Sequence, residues 1–417
     1  MSTSAAGTPP SVPSSDRPRV GLDVPVLVFA PGSGRSAWNS AARVAELVAR
    51  AASIGPGSYY ARESKETVGP GLRAARTVVG PDGAPVLDVL ELDYLSRLED
   101  ADLTRAAPMI PGFVRSGMLA VRGIVMLVGA VRREGLGPRG RLQLAWGFVC
   151  VAALLAGAVV ATLSALAAMG VVDTGATQAR ATAVAVGAGV SVTAVWAAAR
   201  TRLLGSEQRI ERFMRFADMP RYRATIVRTV WEALDSLRDQ HRTGPIHLAG
   251  FSLGSLVLLD ALFPRADDEP ERPADDVDEE LQALSGLVAS LTTIGCPADF
   301  ARLYWPGWFE HRRAWIDPQR WLNVRNESDV FGSAFDPSPW PLRPRQTIRY
   351  QPRKPWWTVL LMGDFSVHGE YWGSVTEDSC FQRVEVRRPW LGRRAGEDGQ
   401  VPAAAPARND GEAARHP

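Results

Sequence analysis

Ser252 sits between two glycines, in Gly250-Phe251-Ser252-Leu253-Gly254, and that spacing suits a nucleophile for acyl chemistry. Glycines on both sides leave room for a tight turn that forces the serine backbone into a strained conformation. Its hydroxyl then projects at the start of a helix, where backbone N–H groups face developing negative charge. The chain holds 38 glycines in 417 residues, so the pentapeptide alone carries little weight. Its setting adds more: "IHLAG" before it is a short apolar strand, and "LGSLVLLDALF" after it is a helical pattern.

A serine hydroxyl needs a base to become a nucleophile. Of five histidines, His416 lies in the C-terminal tail, His241 at a helix end, and His247 inside the strand that leads to Ser252. His311 in "WFEHRRAW" has arginine neighbours that disfavour an imidazolium. His368, in "GDFSVHGEYW", follows an apolar run late in the chain and is the expected base, since the order serine, acid, histidine then holds. The acid that orients it is expected at Asp329, in "WLNVRNESDVFG". Glu327 and Asp336 are close alternatives, and Asp317 and Asp364 weaker ones. Two N–H donors must hold the oxyanion: Leu253, directly after the nucleophile, and Ser33 in "APGSGRS", with Gly34 second to it. No metal or organic cofactor is implied.

These residues need a scaffold that gathers them at one edge. "VPVLVFA" (24–30) and "APVLDVLEL" (84–92) read as strands, the first followed by the helical pattern "AWNSAARVAELVARAA". After residue 207, "RYRATIVRTVWEALDSLRDQH" has apolar residues at helical spacing. "VASLTTIGCPAD", "QRWLNVRNESDVFG" and "WWTVLLMGDFSVHGEYW" supply further strands with polar loops at their ends. Alternating strands and helices predict an α/β class with a mostly parallel sheet, whose sites form beyond the carboxyl ends of the strands.

Between these two parts lies a different composition. No charge occurs between Arg141 and Asp173, nor between Arg180 and Arg200. Each run meets the ~20 apolar residues that a bilayer core requires. Together they read as a two-helix transmembrane hairpin, about 142–172 and 181–199. Small residues recur at every fourth position, as in Ala153, Gly157, Ala161 and Ala165, which suits close helix packing in lipid. Arg132, Arg133, Arg139 and Arg141 before it, and Arg200, Arg202 and Arg209 after it, place both outer ends on the cytoplasmic side. The expected location is therefore the cell membrane, with the catalytic part facing the cytoplasm. Residues 108–133, broken by Arg115 and Arg122, read as an interfacial segment or a cap over the site.

Lys+Arg 47 against Asp+Glu 45, with no basic stripe, gives no argument for nucleic acid. Cys150, Cys296 and Cys380 are scattered and argue against a disulfide framework. Residues 1–20, 393–417 and the acidic stretch 264–280 are too polar to bury and read as disordered. The chain thus divides into 21–107 and 207–392, two parts of one α/β domain, around a membrane-associated insertion at 108–206.

With "GFSLG", "NVRNESDVFG", "TIGCPAD" and "HGEYW" in this order, residues 21–107 and 207–392 resemble the α/β-hydrolase superfamily, specifically its lipase-like and esterase-like members. The resemblance implies an α/β-hydrolase fold with Ser252, Asp329 and His368 as nucleophile, acid and base. One feature departs from it: the family often has His-Gly in the oxyanion turn, where this chain has Ala30-Pro31-Gly32. The expected function is cleavage of a lipid or other acyl ester through an acyl-enzyme. Trp305, Trp308, Trp315, Trp321, Trp340, Trp356 and Trp357 are candidates for an acyl pocket, a membrane interface or simply core. The alternatives are a non-catalytic, membrane-tethered scaffold on the same fold, and acyl transfer or peptide cleavage by the same three residues.

Overall fold

The computed structural model describes residues 23–33, 40–54, 57–64, 68–97, 212–213, 216–217, 220–265, 274–305, 312–329, 331–335, 343–350, 366–373 and 378–392. The expected hairpin, residues 108–133, both chain ends, Gly34, His311, Asp336, Asp364 and His416 lie outside them. Among the described residues no helix is long and apolar enough to cross a membrane.

Eight strands form one sheet, with both halves of the chain contributing. They are β1 (Val26–Ala30), β2 (Tyr60–Glu63), β3 (Leu72–Val79), β4 (Pro85–Leu92), β5 (Ile246–Phe251), β6 (Val288–Ile294), β7 (Trp321–Arg325) and β8 (Gln346–Arg349). Their order is β2-β3-β4-β1-β5-β6-β7-β8; β2 to β4 are antiparallel, and β4, β1, β5, β6, β7 and β8 run parallel. The strand order reverses at β1, which pairs with β4 on one side and β5 on the other. A crevice opens beyond the carboxyl ends of strands at such a reversal. Here those ends are Ala30 and Phe251, directly before the turn carrying Ser33 and directly before Ser252.

Successive strand residues serve opposite cores, because side chains alternate across a sheet. Val26, Val28, Leu90, Leu248 and Leu291 face one core. It is closed by α2 (Pro220–Asp239), α3 (Leu253–Leu262) and the ends of α4 (Ala274–Gly286) and α5 (Ala298–Tyr304). In α2 the buried set Ile226, Val230, Ala233, Leu234 and Leu237 follows the helical repeat. Leu27, Phe29, Val89, Ala249, Phe251, Ile294 and Val324 face the other core, under α1 (Ala41–Ala52) and α7 (Val384–Leu391). All ten residues of α3 are buried, so the helix that begins after Ser252 is held on every side.

The sequence reading anticipates β1, β4, β5, β6, β7, α1, α2 and α3, but not β2, β3 or β8; the strand expected in "WWTVLLM" lies outside the described residues. Arg73 and Arg76 interrupt the apolar alternation of β3, and its pairing with β4 carries two register shifts. The four-residue strands β2 and β8 lie at the two edges and bury little. The acidic stretch 264–280 is corrected in part: from residue 274 it is helix. Acidic residues favour the positive amino end of a helix, and Leu284 and Ser285 anchor the other end, Ser285 Oγ donating to the Trp315 carbonyl at 2.9 Å.

Candidate active site

Ser252 has φ 52° and ψ −121°, outside every region that an L-residue prefers. Such a conformation costs on the order of 1–3 kcal/mol and persists only where its surroundings over-determine it. The surroundings are specific. The Ser252 amide donates to the Ile294 carbonyl on β6 at 2.9 Å, and Ser255 Oγ donates to the Gly250 carbonyl at 2.6 Å. A Cβ on Gly250 would lie 2.7 Å from the Ser255 backbone, and one on Gly254 would lie 2.2 Å from the Ala30 carbonyl oxygen. Both glycines are therefore required by close backbone approach. Ser252 is half-buried and its side chain makes no capping bond to α3, which leaves the hydroxyl at the helix start.

His368 and Asp329 meet at the same end of the sheet. His368 lies on α6, the short helix Ser366–Gly369, and its Nδ1 is 2.9 Å from Asp329 Oδ2. The Asp329 oxygens have further donors: the Tyr371 hydroxyl reaches Oδ2 at 2.8 Å and the Phe331 amide reaches Oδ1 at 2.9 Å. Burial alone would raise the Asp329 carboxyl; the charge of His368 and the bonds from His368, Tyr371 and Phe331 outweigh it and hold the carboxyl below its usual range. The histidine ring stacks on Phe251, the residue before Ser252, with centroids 4.9 Å apart. Phe331 meets its edge at 5.5 Å.

Two further glycines fit around this pair. Gly295, with φ +55°, follows the carbonyl that holds the Ser252 amide, and a Cβ there would lie 2.8 Å from Tyr371 Cε2 and 3.2 Å from His368 Cε1. On Gly332 a Cβ would lie 2.9 Å from Asp329 Oδ2. Ser252 and His368 thus lie against consecutive residues, Ile294 and Gly295.

The rival acids go elsewhere. Glu327 forms ion pairs with Arg349 at 3.2 Å and Arg325 at 3.9 Å, and Asp317 caps a short 3-10 helix by accepting from the Gln319 amide at 2.9 Å. Among the other histidines, His241 is exposed at the end of α2. His247 is buried in β5, with Nδ1 2.8 Å from Ser290 Oγ. Leu253 is the first residue of α3, a position whose amide has no partner within the helix. The approach of Gly254 to the Ala30 and Pro31 carbonyls seats that amide beside the turn that holds Ser33.

Nothing in the sequence singles out Tyr371, although it stands in the histidine motif "HGEYW". Its hydroxyl both donates to Asp329 and accepts from the Asn326 amide at 2.7 Å, tying β7's end to the acid. Of the seven tryptophans between 305 and 357, Trp321 is core, while Trp305 packs edge-on against Phe213 at 5.7 Å. Trp315 meets Trp231 at 5.4 Å. Trp308, Trp340, Trp356 and Trp357 lie outside the described residues. Cys296 and Cys380 are free and buried, and burial pushes both thiols up. Among the described residues no cluster of three or more His, Cys, Asp and Glu side chains is placed to hold a metal ion.

Comparison of the chain with protein-family profiles, curated proteins and solved structures finds no match in any of the three.

Proposed function

We propose that this chain is a serine hydrolase of α/β-hydrolase type that cleaves a lipid or other acyl ester. The observation that carries the proposal is the buried His368–Asp329 pair beside a serine held at φ 52° between two obligatory glycines. Strain of this kind is retained where function uses it.

In the first step Ser252 Oγ attacks the ester carbonyl carbon while His368 Nε2 takes its proton. The carbonyl π pair moves to oxygen, and the Leu253 and Ser33 amides receive the oxyanion. Collapse expels the alcohol, which takes the proton from His368 and leaves an acyl group on Ser252. Water then attacks with His368 again as base, releasing the acid and restoring the hydroxyl. Asp329 fixes the imidazole through Nδ1 and stabilises its cationic form; Tyr371 and the Phe331 amide fix Asp329. General acid–base catalysis of this kind contributes about 10²–10⁴-fold.

Two features favour an apolar acyl group. Phe331, at the edge of His368, continues through Phe300 at 5.1 Å to Phe213 at 6.0 Å, an aromatic surface leading away from the base. The charge-free runs in the insertion at 108–206 would tether the catalytic part to a cytoplasmic membrane face, where such esters reside.

The test is labelling of membrane fractions with a fluorophosphonate, comparing wild type with Ser252→Ala, His368→Ala and Asp329→Asn. Labelling of the wild type that is abolished by the first change and sharply reduced by the other two is expected. A folded wild type that neither labels nor hydrolyses small esters overturns the proposal.

A further inference from the structure

The turn that would supply the second oxyanion donor lacks the usual His-Gly and is built on Ala30-Pro31-Gly32-Ser33, so something else must fix its peptide planes. Two side chains do so, one from each side of the long insertion. Tyr94 follows β4 by two residues and is fully buried. Its hydroxyl donates to the Pro31 carbonyl and lies 3.2 Å from the Gly32 carbonyl. Arg212, the first described residue after the insertion, donates through Nη1 to the Ser33 carbonyl at 2.8 Å. Three consecutive carbonyls are therefore held by two side chains.

Both side chains are themselves anchored. The Asp93 amide donates to the Gly71 carbonyl at 2.9 Å, and Leu95 is in the core. Arg97 pairs with Glu232 of α2. Next to Arg212, Phe213 packs against Phe300 and Trp305, and Phe216 is fully buried. Burial raises the Tyr94 phenol well above its usual range, with the Arg212 charge opposing, so it remains a proton donor.

A trans peptide is planar, and its C=O and N–H point in opposite directions. Holding the Gly32 carbonyl toward Tyr94 turns the Ser33 amide away from the buried phenol. Holding the Ser33 carbonyl on Arg212 keeps the next plane from swinging back. Gly254, whose backbone abuts Ala30 and Pro31, brings the Leu253 amide alongside. We infer that Tyr94 and Arg212 are positioning residues for the oxyanion site, aiming the Ser33 amide at the oxygen of the ester bound at Ser252. The inference rests on the hydrolase reading and adds to it: the segments flanking the insertion hold the catalytic amide.

An oxyanion donor acts on the transition state, so its misplacement lowers kcat and leaves KM largely alone. A thiono ester offers sulfur, a weaker hydrogen-bond acceptor, and gains less from the same donors. The experiment measures full-length wild type, Tyr94→Phe, Arg212→Gln and Arg212→Lys on p-nitrophenyl butyrate and its thiono analogue, with thermal unfolding as a control. The expected result is a kcat loss of about tenfold to a hundredfold on the oxo ester for Tyr94→Phe and Arg212→Gln. KM should stay within about twofold, the thiono rate should change little, and Arg212→Lys should restore part of the loss. Parallel losses on both esters, or no loss in either variant, overturn the inference while leaving the hydrolase reading intact. A wild type without Ser252-dependent turnover overturns both.

Discussion

Replacing His247 should make the fold markedly less sensitive to acid. The imidazole lies in the central strand that delivers Ser252, 3% exposed, with Nδ1 on Ser290 Oγ and Nε2 meeting no hydrogen-bond partner among the described residues. Burial lowers its pKa from 6.5 to about 4. The folded protein thus binds this proton less readily than the unfolded chain does. Stability is unaffected above the unfolded value, falls as pH drops below it, and levels off below the folded value. Each pKa unit is worth about 1.36 kcal/mol, so between about pH 7.5 and 4.5 this one group costs about 2.5 kcal/mol. His247→Gln keeps a polar group for Ser290 and removes the titration. Urea unfolding of the full-length chain at the two pH values should show the variant losing about 2.5 kcal/mol less than the wild type on acidification. Equal losses in the two proteins would refute the reasoning and mean that the ring is charged, or solvated, in the folded state.

Four further outcomes follow from the site. Asp329→Asn should lower kcat on the order of 10³–10⁴-fold, because the imidazole loses its orienting carboxylate. Glu327→Gln should leave ester turnover within about twofold and change stability by about 0–1 kcal/mol, since the closer of its ion-pair partners, Arg349, is exposed; steady-state kinetics with urea melts check both. Tyr371→Phe removes one donor from Asp329 and one acceptor from the Asn326 amide, costing about 1–3 kcal/mol in an unfolding assay. Gly295→Ala places a methyl against Tyr371 and His368 at a φ that costs an L-residue about 1–2 kcal/mol, and fluorophosphonate labelling should fall well before far-UV circular dichroism changes.

What could be read from the chain alone has a physical pattern. β1 is legible because every residue in it is buried and apolar, and β5 because its buried run is interrupted only by His247. The serine turn was legible because two close backbone approaches, against Ser255 and against Ala30, each demand a glycine at a fixed offset. The pairing of Asp329 with His368 was an expectation of chain order, and the sheet brings those two side chains together. By contrast, β3 was hidden by its arginines, and β2 and β8 by their short, exposed edges. Tyr371, Tyr94 and Arg212 act through oxygen atoms far away in sequence. No local pattern of residue types encodes such a contact.

The place of β1 between β4 and β5 has a consequence for biosynthesis. β4 is complete at Leu92, but the partner for the other edge of β1 begins only at Ile246. At a translation rate of about 5–20 residues per second, that edge waits on the order of ten seconds. For that interval Val26–Ala30 presents an apolar strand with open backbone groups, the kind of edge that recruits other chains. A ribosome-associated chaperone, or rapid engagement of the intervening segment elsewhere, would have to shield it. Yield in a heterologous host should therefore depend on how fast residues 93–245 are translated, more than on the stability of the finished fold.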